Sequence, residues 1–356
     1  MVFLTIMFDE IFLLLLTGVI ALLFSWAFRT LPEENWQILA CLPGRKGLDA
    51  IWTGVNLTYY GFFNALAYVF ATVMFLLMMG SLGVMIAAIL SVIVPVLIIC
   101  MWASRFIARW VEKKQHTFSV GAASFVGIIV APMIIVLVDF TFGQWWAFHI
   151  PVTQTMAAML IAYAFGEGMG RLACISFGCC YGKPLADCHP LMKKIFRRMN
   201  FVFRGKTKKI AYAGQLEGQA VIPIQALTAV IYTGTGLLSF YLFLKSFALA
   251  ALVITLLVTQ SWRFVSEFLR ADHRGQGRIS AYQIMTLLAM VYMLIMIPFI
   301  SEPYLAAPKL LPGLMSLWNP GLIILLAVLW VVAFAYTGKS DVTCSSINIQ
   351  IIEKKI

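Results

Sequence analysis

The sequence predicts an all-α fold, a polytopic membrane helix bundle of about nine transmembrane helices. Three observations carry this. Hydrophobic residues make up 62% of the 356 and charged residues only 12%, whereas a soluble domain is about half apolar and a quarter charged. Apolar runs of about 17 residues or more recur along the chain, long enough to cross a bilayer as helices. The charge is also segregated: nearly all the Lys and Arg fall in alternate connections between those runs.

Taken in order, the runs lie near Ile11–Phe28, Leu57–Met79, Val84–Ser104, Val120–Phe140 and Trp146–Gly166, then near Ile224–Leu244, Ala248–Leu269, Ala281–Phe299 and Leu322–Thr337. The first ten residues hold no Lys or Arg, and Asp9 and Glu10 precede the apolar run. The first run therefore reads as a retained helix and not as a signal peptide. The densest polar features lie between the first and last helices. Residues 1–55 and 301–356 accordingly read as an added helix at each end of a seven-helix core, residues 56–300. Trp145, Trp146 and His149 read as an interfacial belt.

The longest connection, residues 171–222, follows the fifth helix. It opens with GRLACISFGCCYGKP and continues through Lys193, Lys194, Arg197 and Arg198, interleaved with Leu191, Met192, Ile195, Phe196 and Met199. That spacing fits a short basic amphipathic helix on an anionic membrane surface. A solvated basic loop is the alternative.

Nine spans place successive loops on alternating sides. One side carries Lys245 and Lys309 alone, and the other carries the remaining 24 of 26 Lys and Arg. The short loop with Arg105, Arg109, Lys113 and Lys114 agrees with the long one. Loops rich in Lys and Arg stay in the cytoplasm, so the charge predicts an external N-terminus, an internal C-terminus and a cytoplasmic 171–222 loop.

Arg263, Glu267 and Arg270, in WRFVSEFLR, lie four and three residues apart and share a helix face. They read either as boundary arginines held in a structural ion pair or as a guanidinium clamp for a lipid phosphate, which the arginine fork binds bidentately. Arg171 sits at another basic-side helix end. Tyr59, Tyr60 and Asn64 open the second helix and Gln225 and Thr228 the sixth. Asn64, a turn inside, requires a buried partner.

Seven cysteines are an odd number and imply no full disulfide framework. Cys174, Cys179, Cys180 and Cys188 with His189 do not fit zinc spacings built on C-x₂₋₄-C pairs. No metal is expected from spacing. Reduced thiols packed as small apolar groups are the plain reading, and a thiol nucleophile is the other.

These motifs resemble the bacterial prolipoprotein diacylglyceryl transferase family. Gly170-Arg171, Gly178 and Tyr181-Gly182 resemble its signature segment. Arg263, Glu267 and Arg270 match its second arginine motif one for one. Tyr60-Gly61, Pro223 with Gln225, and Gln283 resemble its tyrosine-glycine pair, its proline-x-glutamine and the glutamine opening its last core helix. The resemblance covers the second to eighth helices in order. Cys174, Phe177 and Cys179 stand where the family has asparagines and a glutamate. Its histidine-glycine-glycine motif falls at Ala122, Ala123 and Ser124, and Ile222 and Thr228 replace its usual histidine and glutamate.

The resemblance implies a multi-pass protein of the bacterial inner membrane. It implies transfer of a diacylglyceryl group from phosphatidylglycerol to the thiol of a prolipoprotein or related acceptor, with no cofactor. Arg171 and Arg263 would hold the phosphate and Glu267 would support them. Tyr60, Asn64, Gly178, Tyr181, Gln225, Arg270 and Gln283 would bind substrate. His116 and His189 are the available bases. The expected partners are membrane lipids and the acceptor, with no nucleic acid. The family's arginine face opens externally, opposite to the charge reading. A related protein that binds the lipid without transfer, or serves a cytoplasmic acceptor, is the alternative.

Overall fold

The structure is a computed structural model that describes all residues except 1, 35–36, 48–50, 113–119, 147, 272–278, 302–306, 349, 352–353 and 355–356. In chain order the elements are α1 (Val2–Thr30), β1 (Ile38–Lys46), β2 (Trp52–Thr58), α2 (Tyr59–Ser81), α3 (Ile86–Glu112), α4 (Val120–Val138), α5 (Gln144–Trp146) and α6 (Val152–Phe177). The long connection holds α7 (Pro190–Phe196), β3 (Phe201–Val202), α8 (Lys209–Tyr212) and β4 (Ala220–Val221). Then come α9 (Ile224–Leu244), α10 (Ala248–Leu269), α11 (Ala281–Ile300), α12 (Leu310–Leu317), α13 (Pro320–Gly338) and β5 (Ser345–Ile347). Among the described residues, nine helices are long and apolar enough to span a bilayer. The chain is a helical polytopic membrane bundle.

α6 is the axis. It packs against α2, α9 and α10, while α4 and α11 close the ring and α3 lies outside α4. Small residues permit this. A Cβ on Gly166 would press on Ala71 at 2.9 Å, and one on Gly168 would meet the Ala229 carbonyl at 3.1 Å. In lipid, where apolar burial between helices contributes little, such close backbone approach and the dispersion it allows hold helices together.

The fifth span differs from its sequence limits. It begins at Val152, after Pro151, because a π-turn over Asp139–Gly143 and α5 intervene. It continues past Gly166 to Phe177. The charged, glycine-rich GEGMGR stretch reads as a helix end, yet Glu167 and Arg171 pair one turn apart and the glycines face neighbouring helices. Gly170-Arg171 is thus inside a helix, not at its end.

The hairpin of β1 and β2, joined by β5, was not visible as apolar runs. β2 pairs antiparallel with both neighbours. Buried Asn56 fastens the tail to it: its Nδ2 donates to Thr343 Oγ1 at 2.9 Å, and its Oδ1 accepts from Ser345 at 2.5 Å. Directly below, α13 crosses α2 so closely that a Cβ on Gly61 would overlap the Gly338 backbone. Thr58 caps α2 and donates to the Gly338 carbonyl at 3.0 Å. The two terminal extensions therefore meet each other on the end of the bundle that bears the long connection.

That connection is ordered by three ties. Tyr181–Pro184 runs as a ribbon between Arg270 and Val221, with Lys183 N donating to Leu269 O at 2.9 Å and Ile222 N to Lys183 O at 3.1 Å. Glu217 accepts from Gly205 N at 2.9 Å. Gln37 donates to Thr207 O at 2.7 Å. α7 is the expected short helix: Leu191, Ile195 and Met199 are exposed beside Lys193, Lys194, Arg197 and Arg198, and Phe196 alone is buried.

Candidate functional site

The site begins with a helix end. α6 stops at Gly178, which is left-handed at φ 67°. Gly178 N donates to Ile175 O at 3.2 Å and Cys179 N to Cys174 O at 3.1 Å. This is the Schellman arrangement, which glycine adopts without a Cβ penalty. Here it folds Cys179 back over Cys174. Cys180, also left-handed at φ 55°, completes the return. The sulfurs of Cys174, Cys179 and Cys180 all lie within 4.8 Å of one another. Cys188 and His189 are apart from them, in the turn before α7, where Cys188 Sγ donates to Pro184 O at 3.3 Å and His189 Nδ1 caps α7.

Around the thiols stand Arg171 of the first arginine motif and, from other stretches of the chain, Tyr60, Asn64 and Gln225. Tyr60 lies within electrostatic reach of Asn64 and of all three cysteines. Its ring packs on Phe177 at 5.3 Å. Gln225 is fully buried and donates from Nε2 to Cys179 O at 2.8 Å. Arg171 directs Nη1 at Cys174 Sγ, 3.9 Å away, and forms an ion pair with Glu167 on the preceding turn. Both side chains are largely enclosed, at 15% and 7% exposure. Arg171 Nε and Gln225 Oε1 are buried polar atoms with no hydrogen-bond partner among the described residues. Polar atoms in that state cost about 1–3 kcal/mol each, so both are positions where a bound polar group is favoured.

The second motif lies across the bundle on α10. Arg263 is buried, at 9% exposure, and donates from Nη1 to Tyr163 Oη at 3.2 Å. Gly121 of α4 makes room for its guanidinium, which a Cβ there would strike. Glu267 stands 3.8 Å from Arg270, both 7% exposed. The spacing suggests that Glu267 bridges both arginines. Instead it pairs with Arg270, while Arg263 receives its charge at longer range and donates its hydrogen bond to Tyr163. Tyr232 joins the halves: its ring meets Tyr163 at 5.9 Å, its hydroxyl donates to Thr259 O at 2.9 Å, and both Arg171 and Arg263 lie within its electrostatic reach.

Arg171, Tyr60, Asn64, Gly178 and Gln225 are therefore brought together, and Arg263 and Arg171 both lie within electrostatic reach of Tyr232. Arg270 and Tyr181 lie at the rim, on adjoining strands of the ribbon. Gln283 stands further off in a capping box with Ser280, its Nε2 donating to Phe264 O at 3.0 Å, so it fixes the start of α11 against α10. His116 lies outside the described residues.

Sequence reading passed over Tyr163, Glu167, Tyr232 and Lys208. Tyr163, Glu167 and Arg171 are spaced four and four, one face of α6, and that periodicity was the available signal. Lys208 gave none, lying in a basic run. Its side chain is buried, with Nζ donating to Leu31 O at 2.9 Å and Ser176 O at 2.8 Å. These carbonyls end α1 and α6, where the helix dipole favours a cation. Burial nonetheless pushes the ammonium down to about 8, with Glu34 opposing.

A concavity of about 360 Å³ lies at the opposite end of α4, beside Asp139. There His149 Nδ1 pairs with Asp139 at 2.9 Å, and Asp139 Oδ1 accepts from Ile150 N at 2.6 Å. These bonds secure the turn into α6, and the arginines are not part of that cavity's lining.

No protein-family model matches the chain, and no curated protein matches it significantly.

Proposed function

We propose that the chain is an inner-membrane protein that holds the phosphate of phosphatidylglycerol between Arg171 and Arg263 and transfers the lipid's diacylglyceryl group to a thiol. The observation that carries this is the pair of enclosed arginines from separate motifs, both within electrostatic reach of Tyr232, with a buried Nε–H of Arg171 left for a ligand. A buried arginine costs about 3 kcal/mol or more in a bilayer, so two in one enclosure argue for an anionic ligand that recovers part of that cost. Resemblance to the diacylglyceryl transferase motifs supplies the lipid and the reaction.

In this reaction a thiol sulfur bonds to the terminal glyceryl carbon as that carbon's bond to the phosphate oxygen breaks. The electron pair leaves with glycerol phosphate. The thiol proton passes to the departing phosphomonoester, whose second pKa is about 6, or to water. The protein's part is electrostatic. Charge concentrates on the leaving phosphate, and fixed guanidinium donors stabilise it more than they stabilise the bound diester. Glu167 and Tyr163 hold the two guanidinium groups in place. Tyr60, Asn64 and Gln225 are placed to orient the headgroup.

A second reading is favoured by one observation. Of the four histidines, His149 and His189 are engaged away from the arginines, and thiols occupy the positions where the resembled family carries amides and a carboxylate. A phosphatidylglycerol-binding protein without transfer fits this, as does transfer to a cytoplasmic acceptor.

The test is incubation of the purified protein with acyl-labelled phosphatidylglycerol and a lipobox peptide. Label on the peptide, lost in Arg263→Ala, supports transfer. Saturable lipid binding with unlabelled peptide supports the second reading and excludes the first.

A further inference from the structure

We propose that Cys174, Cys179 and Cys180 form a three-thiolate site for one thiophilic d¹⁰ metal ion of the zinc(II) or copper(I) class. The inference rests on the position of the sulfurs; it shares Arg171, Tyr60 and Gln225 with the lipid reading but does not require that reading.

Spacing alone speaks against a metal, because C-x₄-C-C matches no zinc-finger pattern. The fold supplies what spacing lacks. The Schellman turn at Gly178 fixes Cys179 over Cys174 by a backbone hydrogen bond of 3.1 Å. The left-handed Cys180 returns the third thiol to the same point. All three sulfurs fall within 4.8 Å of one another. Bonds of about 2.3 Å to a common zinc ion set sulfurs roughly 3.8 Å apart, so closure onto a metal needs shifts of about an ångström at most.

The surroundings suit such an ion. Soft thiolates select zinc and copper(I) over hard cations. Three thiolates with a divalent ion leave one negative charge, and Arg171 Nη1 stands 3.9 Å from Cys174 Sγ to meet it. Gln225 holds the Cys179 carbonyl at 2.8 Å from a buried side chain, a brace that orients the ligand loop as outer-shell partners do. Tyr60 lies within electrostatic reach of all three sulfurs. The remaining cysteines, Cys41, Cys100, Cys188 and Cys344, lie outside the cluster.

The test uses the full chain in detergent, reduced, stripped with chelator and desalted. Zinc(II) and, anaerobically, copper(I) are each added in excess, and metal retained after gel filtration is counted per chain. The expected result is close to one equivalent of at least one ion, with Cys174, Cys179 and Cys180 protected from maleimide while Cys41 and Cys344 still react. The Cys179→Ser and Cys180→Ser variants should retain at least tenfold less, whereas Cys188→Ser should match the parent. Retention of neither ion by the parent overturns the proposal. So does equal retention when all three cysteines are serine, or protection of other cysteines instead. Gel-filtration profiles of the variants show whether folding is kept. For any variant that fails to fold, the maleimide footprint of the parent decides alone.

Discussion

Arg263 donates to the hydroxyl of Tyr163 at 3.2 Å, reaching from α10 to α6. This single bond couples two motifs that lie about 100 residues apart in sequence. Glu267, one turn along α10, acts on Arg263 through its charge.

Tyr163→Phe should therefore weaken phosphatidylglycerol binding without unfolding the protein. Hydrogen bonds to charged groups contribute about 1.5–3 kcal/mol, so affinity should fall on the order of tenfold to a hundredfold. Lipid titration, with circular dichroism as the folding control, measures it. Unchanged affinity would show that Tyr163 does not position the guanidinium.

Glu167 and Arg171 form an enclosed ion pair within α6. Removing one partner of such a pair leaves a buried charge and costs about 3–5 kcal/mol, while replacing both is often close to neutral. Glu167→Gln should lower thermal stability sharply. Glu167→Gln with Arg171→Met should recover most of it and still fail to bind lipid phosphate. Thermal unfolding in detergent alongside lipid binding separates the two effects.

Lys208 predicts a pH dependence. Its folded value, about 8, lies below the ordinary 10.5. The unfolded chain then binds the extra proton between those values, so stability rises with pH across that window. Below pH 8 both states are charged and the burial cost is fully present. A shift of this size corresponds to about 3 kcal/mol. The gain from pH 8 to 10.5 should appear in the parent and be absent in Lys208→Met.

The crossing of α2 and α13 at Gly61 and Gly338 leaves no space for a Cβ. Gly61→Ala should destabilise the protein by about 1–3 kcal/mol through overpacking. It should also loosen the Thr58–Gly338 bond and the adjoining sheet, measured as faster amide exchange at Asn56 and Ser345–Ile347.

The nine spans were legible because a bilayer demands long, nearly charge-free runs, and each run keeps its order in the fold. The limits of α6 were not. Its glycines and its Glu167–Arg171 pair look like a boundary in sequence, and only the helices packed around them explain their place inside it. The β1–β2–β5 sheet was hidden for a different reason: its register depends on Asn56 meeting a tail nearly 290 residues away. The arginines and Tyr60, Asn64 and Gln225 were found from motif and spacing. Tyr232 and Lys208 were missed because their partners come from elsewhere in the chain. The cysteines were singled out in the sequence, but their spacing did not show that a left-handed turn brings three of them together.

Charge segregation predicts that the end bearing α7, α8 and the three-stranded sheet faces the cytoplasm. Lys208 and Ile210 are buried, so a reporter fused within that connection would disturb it. One attached after Ile356 avoids this and should read as cytoplasmic. An external reading would place the arginines on the side where exported acceptors present their thiols.

The central claim is that Arg171 and Arg263 together hold a lipid phosphate, and equilibrium binding tests it most directly. Phosphatidylglycerol and diacylglycerol are titrated against the parent, Arg171→Gln and Arg263→Gln in detergent. The parent should prefer the phosphate-bearing lipid, and each substitution should weaken that binding by at least about tenfold, the loss of one charge-assisted contact. Equal binding of both lipids, or unchanged phosphatidylglycerol affinity in both variants, would contradict that claim.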